Sequence, residues 1–370
     1  MKKLPFSVFP NMKCERHGIY DLWPCPWPGC SKGILESEFE VENLIPGKER
    51  DVYQRHEWLS LDQEKYYTWQ LAKFPKWFSC KKALWSEARR RNLITSPPAD
   101  IIYHYTSIDG FMGILNSNSI WLTDYSYLND RQEILHGIGI IRSIANELLS
   151  KTSNKDACKL LESWIVNLDN INGRVCIASF SANGDSLSQW RAYGAIAIGF
   201  KMINCALHFR DAPIQPVEYD ENSQYSLARI YLNHLCQSYA EDISNTEFGK
   251  VVDVYHDTTQ LIELASFFKN SAFHDEHEFR SVFIEHPRVA ESLRLEKPKK
   301  HFRSINNHII PYISSGEIYH SNENKNRLEI EEVVLGPNSD KMLEKGVREF
   351  LLEHELGDVS IRRSSIPYRT

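Results

Sequence analysis

The chain has 370 residues, of which 42% are hydrophobic, 12% aromatic and 25% charged, a globular composition that excludes disorder and collagen-like repetition. Lys and Arg number 43 against 49 Asp and Glu, a formal net charge of −6, which excludes a surface coated throughout in basic charge but leaves room for a local basic patch. No run reaches the ~18 apolar residues of a membrane span, and Pro5 and Pro10 interrupt the start in a way unlike a secretory signal, so a cytoplasmic protein with reduced thiols and no membrane partner is expected.

Punctuation at Pro46-Gly47-Lys48 and Ser96-Pro97-Pro98 divides the chain into residues 1–48, 49–98 and 99–370. In the first segment Cys14 and His17 are followed by Cys25 and Cys30, three thiols and an imidazole of the kind that zinc takes in tetrahedral coordination. Prolines stiffen the Trp23-Pro24-Cys25-Pro26-Trp27-Pro28-Gly29-Cys30 turn, and so short a segment needs metal binding to supply much of its folding free energy. A closed, structural Zn²⁺ site is expected; the competing reading is free thiols packed on the aromatics. Residues 51–92 interleave Tyr53, Trp58, Tyr66, Tyr67, Trp69, Trp77 and Trp85 with Lys73, Lys76, Lys81, Lys82 and Arg89-Arg90-Arg91. The pattern predicts a helical connector broken near Pro75 that either packs its aromatics on the main domain or meets a phosphate backbone. Residues 1–98 hold 16 Lys and Arg against 12 Asp and Glu, which leaves a net charge of −10 on residues 99–370.

From residue 99 the pattern predicts strands over 101–106, 174–180, 195–200, 278–285 and 329–335, with helices over 134–148, 224–243 and 257–269. Unequal insertions without a regular βαβ beat or a glycine-rich phosphate loop indicate an α+β domain. Four patches in it carry chemistry. In Tyr103-His104-Tyr105-Thr106-Ser107, alternation puts Ile102, His104 and Thr106 on one strand face. Asn129, Asp130 and Glu133 open a helix, either as a cap or as ligand contacts. Ser179-Phe180-Ser181 leads to Ser188-Gln189-Trp190-Arg191-Ala192-Tyr193, read as a loop that offers a stacking surface and donors to a planar ligand or is anchored by Trp190. Glu276, Glu278 and Arg280 share the face of a strand whose other face carries Phe279 and Phe283, either solvated or lining a cleft.

HYTS at 104–107, LND at 128–130, SFS at 179–181, SQWRAYG at 188–194, Phe268-Lys269, E-x-E-x-R at 276–280, Leu335-Gly336-Pro337 and Arg363-Ser364-Ser365 with Pro367 together resemble a bacterial family of domains of unknown function, the 2971 family. The layout is also similar to ADP-ribosyltransferases. That resemblance implies a split β-sandwich clasping NAD, with His104 at the adenosine ribose and nicotinamide and Tyr193 or Trp190 stacked on nicotinamide. It implies Glu278 as the catalytic carboxylate and Glu276 as the acceptor-side acid, with Ser179 and Ser181 in the middle strand. Tyr105, Thr106, Gln189, Arg191, Asn129, Asp130, Arg131 and Arg280 complete the NAD site so implied, Arg131 or Arg191 pairing with the pyrophosphate. The function implied is an NAD-consuming transferase, as in a toxin or phage-defence effector, with a nucleic-acid or protein acceptor. Two other readings compete with it: a nuclease or phosphodiesterase holding Mg²⁺ on Asp275, Glu276 and Glu278, and a non-catalytic zinc-containing module that binds nucleic acid or protein.

Overall fold

A computed structural model describes residues 99–128, 131–169, 174–202, 205, 212, 214–240, 247–285, 298–305, 307–317 and 328–367, together with the backbone of two short N-terminal strands. Those two, β1 (Met12–Cys14) and β2 (Gly18–Tyr20), pair antiparallel with Cys14 opposite Gly18. His17, Cys25, Cys30 and the basic aromatic segment lie outside the described residues, as do Asn129 and Asp130.

The main unit mixes α and β structure around a ten-stranded sheet. In chain order it holds β3 (Ile101–Thr106), α1 (Ile108–Ser117), β4 (Trp121–Asp124), α2 (Arg131–Lys151), α3 (Lys155–Asp169), β5 (Arg174–Ser181), α4 (Leu187–Tyr193), β6 (Ile196–Lys201) and β7 (Gln215–Pro216). There follow α5 (Glu221–Ala240), α6 (Glu247–Ala265), β8 (Glu278–Glu285), β9 (His301–Ile305), β10 (His308–Ser314), β11 (Ile330–Leu335), α7 (Lys341–Glu353) and β12 (Ser360–Arg363). No helix among the described residues is long and apolar enough to cross a membrane. Two expectations need correction. Residues 188–193 form helix α4 instead of a loop, and α6 stops at Ala265, which leaves Phe268 and Lys269 in the link to β8.

The sheet has a fork at β5. One edge of β5 is paired along its length with β8, from Arg174 opposite Glu285 to Ser181 opposite Glu278. A strand has only two edges, so β3 and β4 share the other: Tyr103 meets Ser181, whereas Thr123 and Asp124 meet Ile177 and Cys176. Beyond β3 the sheet continues through β6 and β11 to the parallel strand β12; beyond β4 it continues through β10 to β9.

Alternation sorts the side chains into two cores. Cys176, Ala178, Phe180, Phe279 and Phe283 join Ile102, Ile198 and Phe200 beneath Phe111 of α1 and Leu351 of α7. Val175, Ile177 and Val282 face the other way, onto Ile134, Ile138 and Ile141 of α2, Trp164 of α3, Leu227 of α5 and Leu261 of α6. Where α2 meets the end of α6 the backbones come so close that a Cβ on Gly137 would lie 2.2 Å from the Ala265 carbonyl oxygen. That contact fixes the start of α2 against the chain leading to Lys269.

Candidate functional site

Past the apolar part of its helical face, β8 begins with charged residues. Glu278 lies opposite Ser181 and Arg280 opposite Ser179, so these four share one face. Glu276 stands outside the strand, at the end of a 3₁₀ turn (Ser271–Glu276), and His277 after it takes the left-handed conformation at φ 44°. That reversal, and not strand alternation, brings Glu276 round to Glu278.

The carboxylates converge on Lys269. Its Nζ lies 2.7 Å from Glu133, 2.6 Å from Glu276 and 3.1 Å from Glu278, and the side chain is 1% exposed. Arg280 donates to both oxygens of Glu278 at 2.8 Å and to the Ser266 carbonyl at 2.8 Å, and pairs with Glu133. Glu133, expected either to help cap the helix or to contact a ligand, is therefore a buried partner of both cations. Three carboxylates thus share two cations in a space from which water is nearly excluded, an arrangement in which every unpaired charge is costly. Burial alone would raise the Glu278 carboxyl, but Arg280 and Lys269 outweigh it and pull it down to about 2. For Glu133 burial prevails and the carboxyl is raised. The exposed end of the cluster is Glu276, at 19% against 7% for Glu278. Among the described residues, no group of three or more His, Cys, Asp or Glu is arranged to hold a metal ion; the point between the carboxylates is filled by Lys269 Nζ.

His104 is placed differently from expectation. Because Tyr103 pairs with Ser181, alternation puts Tyr103 and Tyr105 on the face of Ser181 and Glu278 and turns His104 away from it, so His104 and Glu278 do not share a face of the sheet. The imidazole enters the fork between β3 and β4, where it lies 5.5 Å from the Phe180 ring and its Nδ1 donates to the Ser179 carbonyl at 2.9 Å. Burial lowers its pKa to about 4, against the carbonyl bond, and the positive charge of Arg303 lowers it further. A neutral ring that gives its Nδ1 proton to a carbonyl keeps Nε2 as an acceptor. The two residues nevertheless meet at Ser179, whose carbonyl holds His104 and whose hydroxyl bonds to Glu278.

Several of the remaining residues support the structure. The Ser181 hydroxyl donates to the Glu276 carbonyl at 2.7 Å and accepts from Asn183 N. Tyr105 donates to the Asn183 carbonyl and packs edge-on to Trp190, which is 7% exposed and donates to Asp185. Gln189 is buried, Arg191 and Tyr193 are exposed, and Thr106 packs against Gly110. Arg131 opens α2. The partners that sequence reasoning did not assign are Lys269, which follows Phe267-Phe268, and Arg303 of β9. No protein-family model matches the chain, and neither the curated proteins nor the solved structures contain a significant match.

Proposed function

We propose that residues 99–370 transfer ADP-ribose from NAD to a nucleic-acid or protein acceptor, on a split β-sandwich of the ADP-ribosyltransferase kind. The observation that carries this reading is Ser179, whose hydroxyl bonds to the ionised Glu278 on one face of the sheet while its carbonyl accepts from His104, which is turned to the other face. Cleavage of the bond between ribose and nicotinamide places positive charge on the sugar, and a carboxylate already ionised and oriented stabilises that charge as it develops. Glu278 meets the requirement, because its two cations keep it charged across the neutral range. Glu276, on the solvent side, is suited to take the proton of an incoming acceptor. Both oxygens of Glu278 are taken by Arg280 and Lys269, so a ribose that bonds to Glu278 displaces one of these contacts. His104 contributes a neutral acceptor at the fork. The N-terminal segment, with Cys14 at the end of a hairpin strand and His17, Cys25 and Cys30 nearby in sequence, holds a structural zinc ion in this reading.

Purified protein incubated with labelled NAD and cell extract is expected to label a macromolecule and release nicotinamide, and Glu278→Gln is expected to reduce release by about 100-fold or more. Loss of one member of a buried ion cluster costs on the order of 3 kcal/mol, so both proteins are assayed well below the melting midpoint of the variant. Equal release from wild type and variant defeats the proposal. The burial of Glu278 favours one other reading, a non-catalytic binding module in which the cluster only clamps α2 onto the sheet; unchanged target binding by Glu278→Gln, with no product from either protein, is its signature.

A further inference from the structure

Glu276 owes its place to a backbone conformation that needs support. His277, which turns the chain back from Glu276 to Glu278, holds φ at 44°, a left-handed conformation that a residue other than glycine keeps only where its surroundings impose it. The surroundings here are the end of β5 and the link 182–186 that follows it. The Ser181 hydroxyl donates to the Glu276 carbonyl at 2.7 Å, and Ala182 N donates to the His277 carbonyl at 2.9 Å.

The link is itself fixed from two sides. From the sheet, the Tyr105 hydroxyl donates to the Asn183 carbonyl at 2.7 Å and accepts from Ser186 N at 3.0 Å. From the other side comes the chain beyond β12. There the Ser364 hydroxyl donates to Asp185 Oδ1 at 2.5 Å, and Ser365 donates twice to Asp185 Oδ2, from its N–H at 2.8 Å and from its hydroxyl at 3.0 Å. Ile366 then packs on the cluster of Tyr103, Tyr105 and Trp190. From Asp185 the bonds run unbroken to the carboxylates: Asp185 N donates to Asn183 Oδ1 at 2.9 Å, Asn183 N to the Ser181 hydroxyl at 3.0 Å, and that hydroxyl to Glu276. The Glu276 carboxylate in turn takes Lys269 Nζ at 2.6 Å. Ser365 is exposed, and a negative charge added there would stand against the Asp185 carboxylate in place of a donor.

We infer that residues 364–366 are a strap that regulates the carboxylate cluster: closed on Asp185, it holds the turn at His277 and keeps Glu276 on Lys269, and negative charge at Ser365 opens it. The effect on transfer rests on the transferase reading of that cluster; the hold on the turn does not.

Hydrogen exchange in the full chain reads the turn directly through the amides of Ala182 and Glu278, which donate to the His277 carbonyl and the Tyr219 hydroxyl. Ser365→Asp and Asp185→Ala are each expected to speed both amides by about tenfold or more. Ser365→Asn, uncharged and of the same size as the aspartate, is expected to stay within about threefold of wild type, and the core amides of Ile138 and Leu261 are expected to be unaffected in all three. Exchange at the wild-type rate in Ser365→Asp, or equal acceleration by Ser365→Asp and Ser365→Asn, overturns the inference. If Asp185→Ala also speeds the core amides, it has lost global stability, and the exposed Ser365 pair decides alone. In a His277→Gly background glycine takes the left-handed turn unaided, so the Ser365→Asp effect is expected to fall below about threefold; an undiminished effect there also overturns the inference. In the labelled-NAD assay Ser365→Asp is expected to label the macromolecule at least about fivefold less than wild type, because the acceptor-side carboxylate is displaced; equal labelling despite faster exchange overturns the regulation. Accelerated exchange with no turnover by any form keeps the strap and removes the transferase reading, whereas turnover by wild type with exchange unmoved in Ser365→Asp does the reverse.

Discussion

Glu278 and Arg280 of β8 are buried and His104 of β3 is half-buried, and their energetics run in opposite directions. Glu278 is kept charged by Arg280 and Lys269, whereas His104 is kept neutral by desolvation. The histidine therefore has a pH signature of its own. Its folded pKa lies near 4 and its ordinary value is 6.5, so over that window the unfolded chain takes up a proton that the folded protein refuses. Stability from this group is fully present above about pH 6.5 and is lost as the pH falls towards 4, at up to about 1.4 kcal/mol per pH unit. Urea unfolding across this range is expected to show a shallower acid decline in His104→Gln than in wild type. Parallel declines would mean that the imidazole is solvated and protonates freely in the folded protein, and the Ser179 contact would then have no energetic weight.

At the scale of elements, the cluster depends on how closely α2 approaches the end of α6. Glu133 lies in the first turn of α2, and Lys269 follows α6 by four residues, so any change that parts the two helices also parts Glu133 from its cations. Two glycines of α2 separate this packing effect from helix propensity. At Gly137 a Cβ would meet the Ala265 carbonyl oxygen at 2.2 Å, with backbone that cannot move aside as a flexible side chain would; at Gly139 it would meet nothing within 4 Å. Gly137→Ala is expected to cost about 2 kcal/mol or more through overpacking and to weaken the Glu133 ion pairs. Gly139→Ala is expected to gain about 0.5–1 kcal/mol from propensity alone. Chemical denaturation of the two variants checks the pair, and equal effects of the same sign would show that α2 does not touch α6 at this point.

Across the whole molecule, the sequence was informative where one strand or helix face carries its own pattern and silent where the answer lies in pairing between distant strands. Strands β3, β5, β6 and β11 are legible from their apolar or aromatic runs, and β8 from the alternation of Phe279 and Phe283 with charged neighbours. Strands β4 and β9 are short and polar at several positions, and β10 is interrupted by Pro311; they hide the half of the sheet that carries Arg303. Glu278 and Arg280 are visible as a motif, but the face taken by His104 depends on the single pairing of Tyr103 with Ser181, which no local pattern encodes. The role of Lys269 likewise exists only once α6, α2 and β8 are assembled. The zinc reading rests on the opposite kind of evidence, spacing alone, and has its own test. The main unit has two cores of its own, while residues 1–48 carry Cys14, His17, Cys25 and Cys30 on a segment too short to build a core that stabilises it. Metal there is expected to set the folding of that segment without setting the stability of the sheet. Full-length protein is therefore expected to carry about one zinc ion per chain, which Cys25→Ser with Cys30→Ser abolishes, while the main melting transition moves by less than about 2 °C. Elemental analysis and calorimetry read the two quantities separately: a metal-free wild type removes the site, and a large fall in the main transition on metal loss would show that the N-terminal segment braces the sheet.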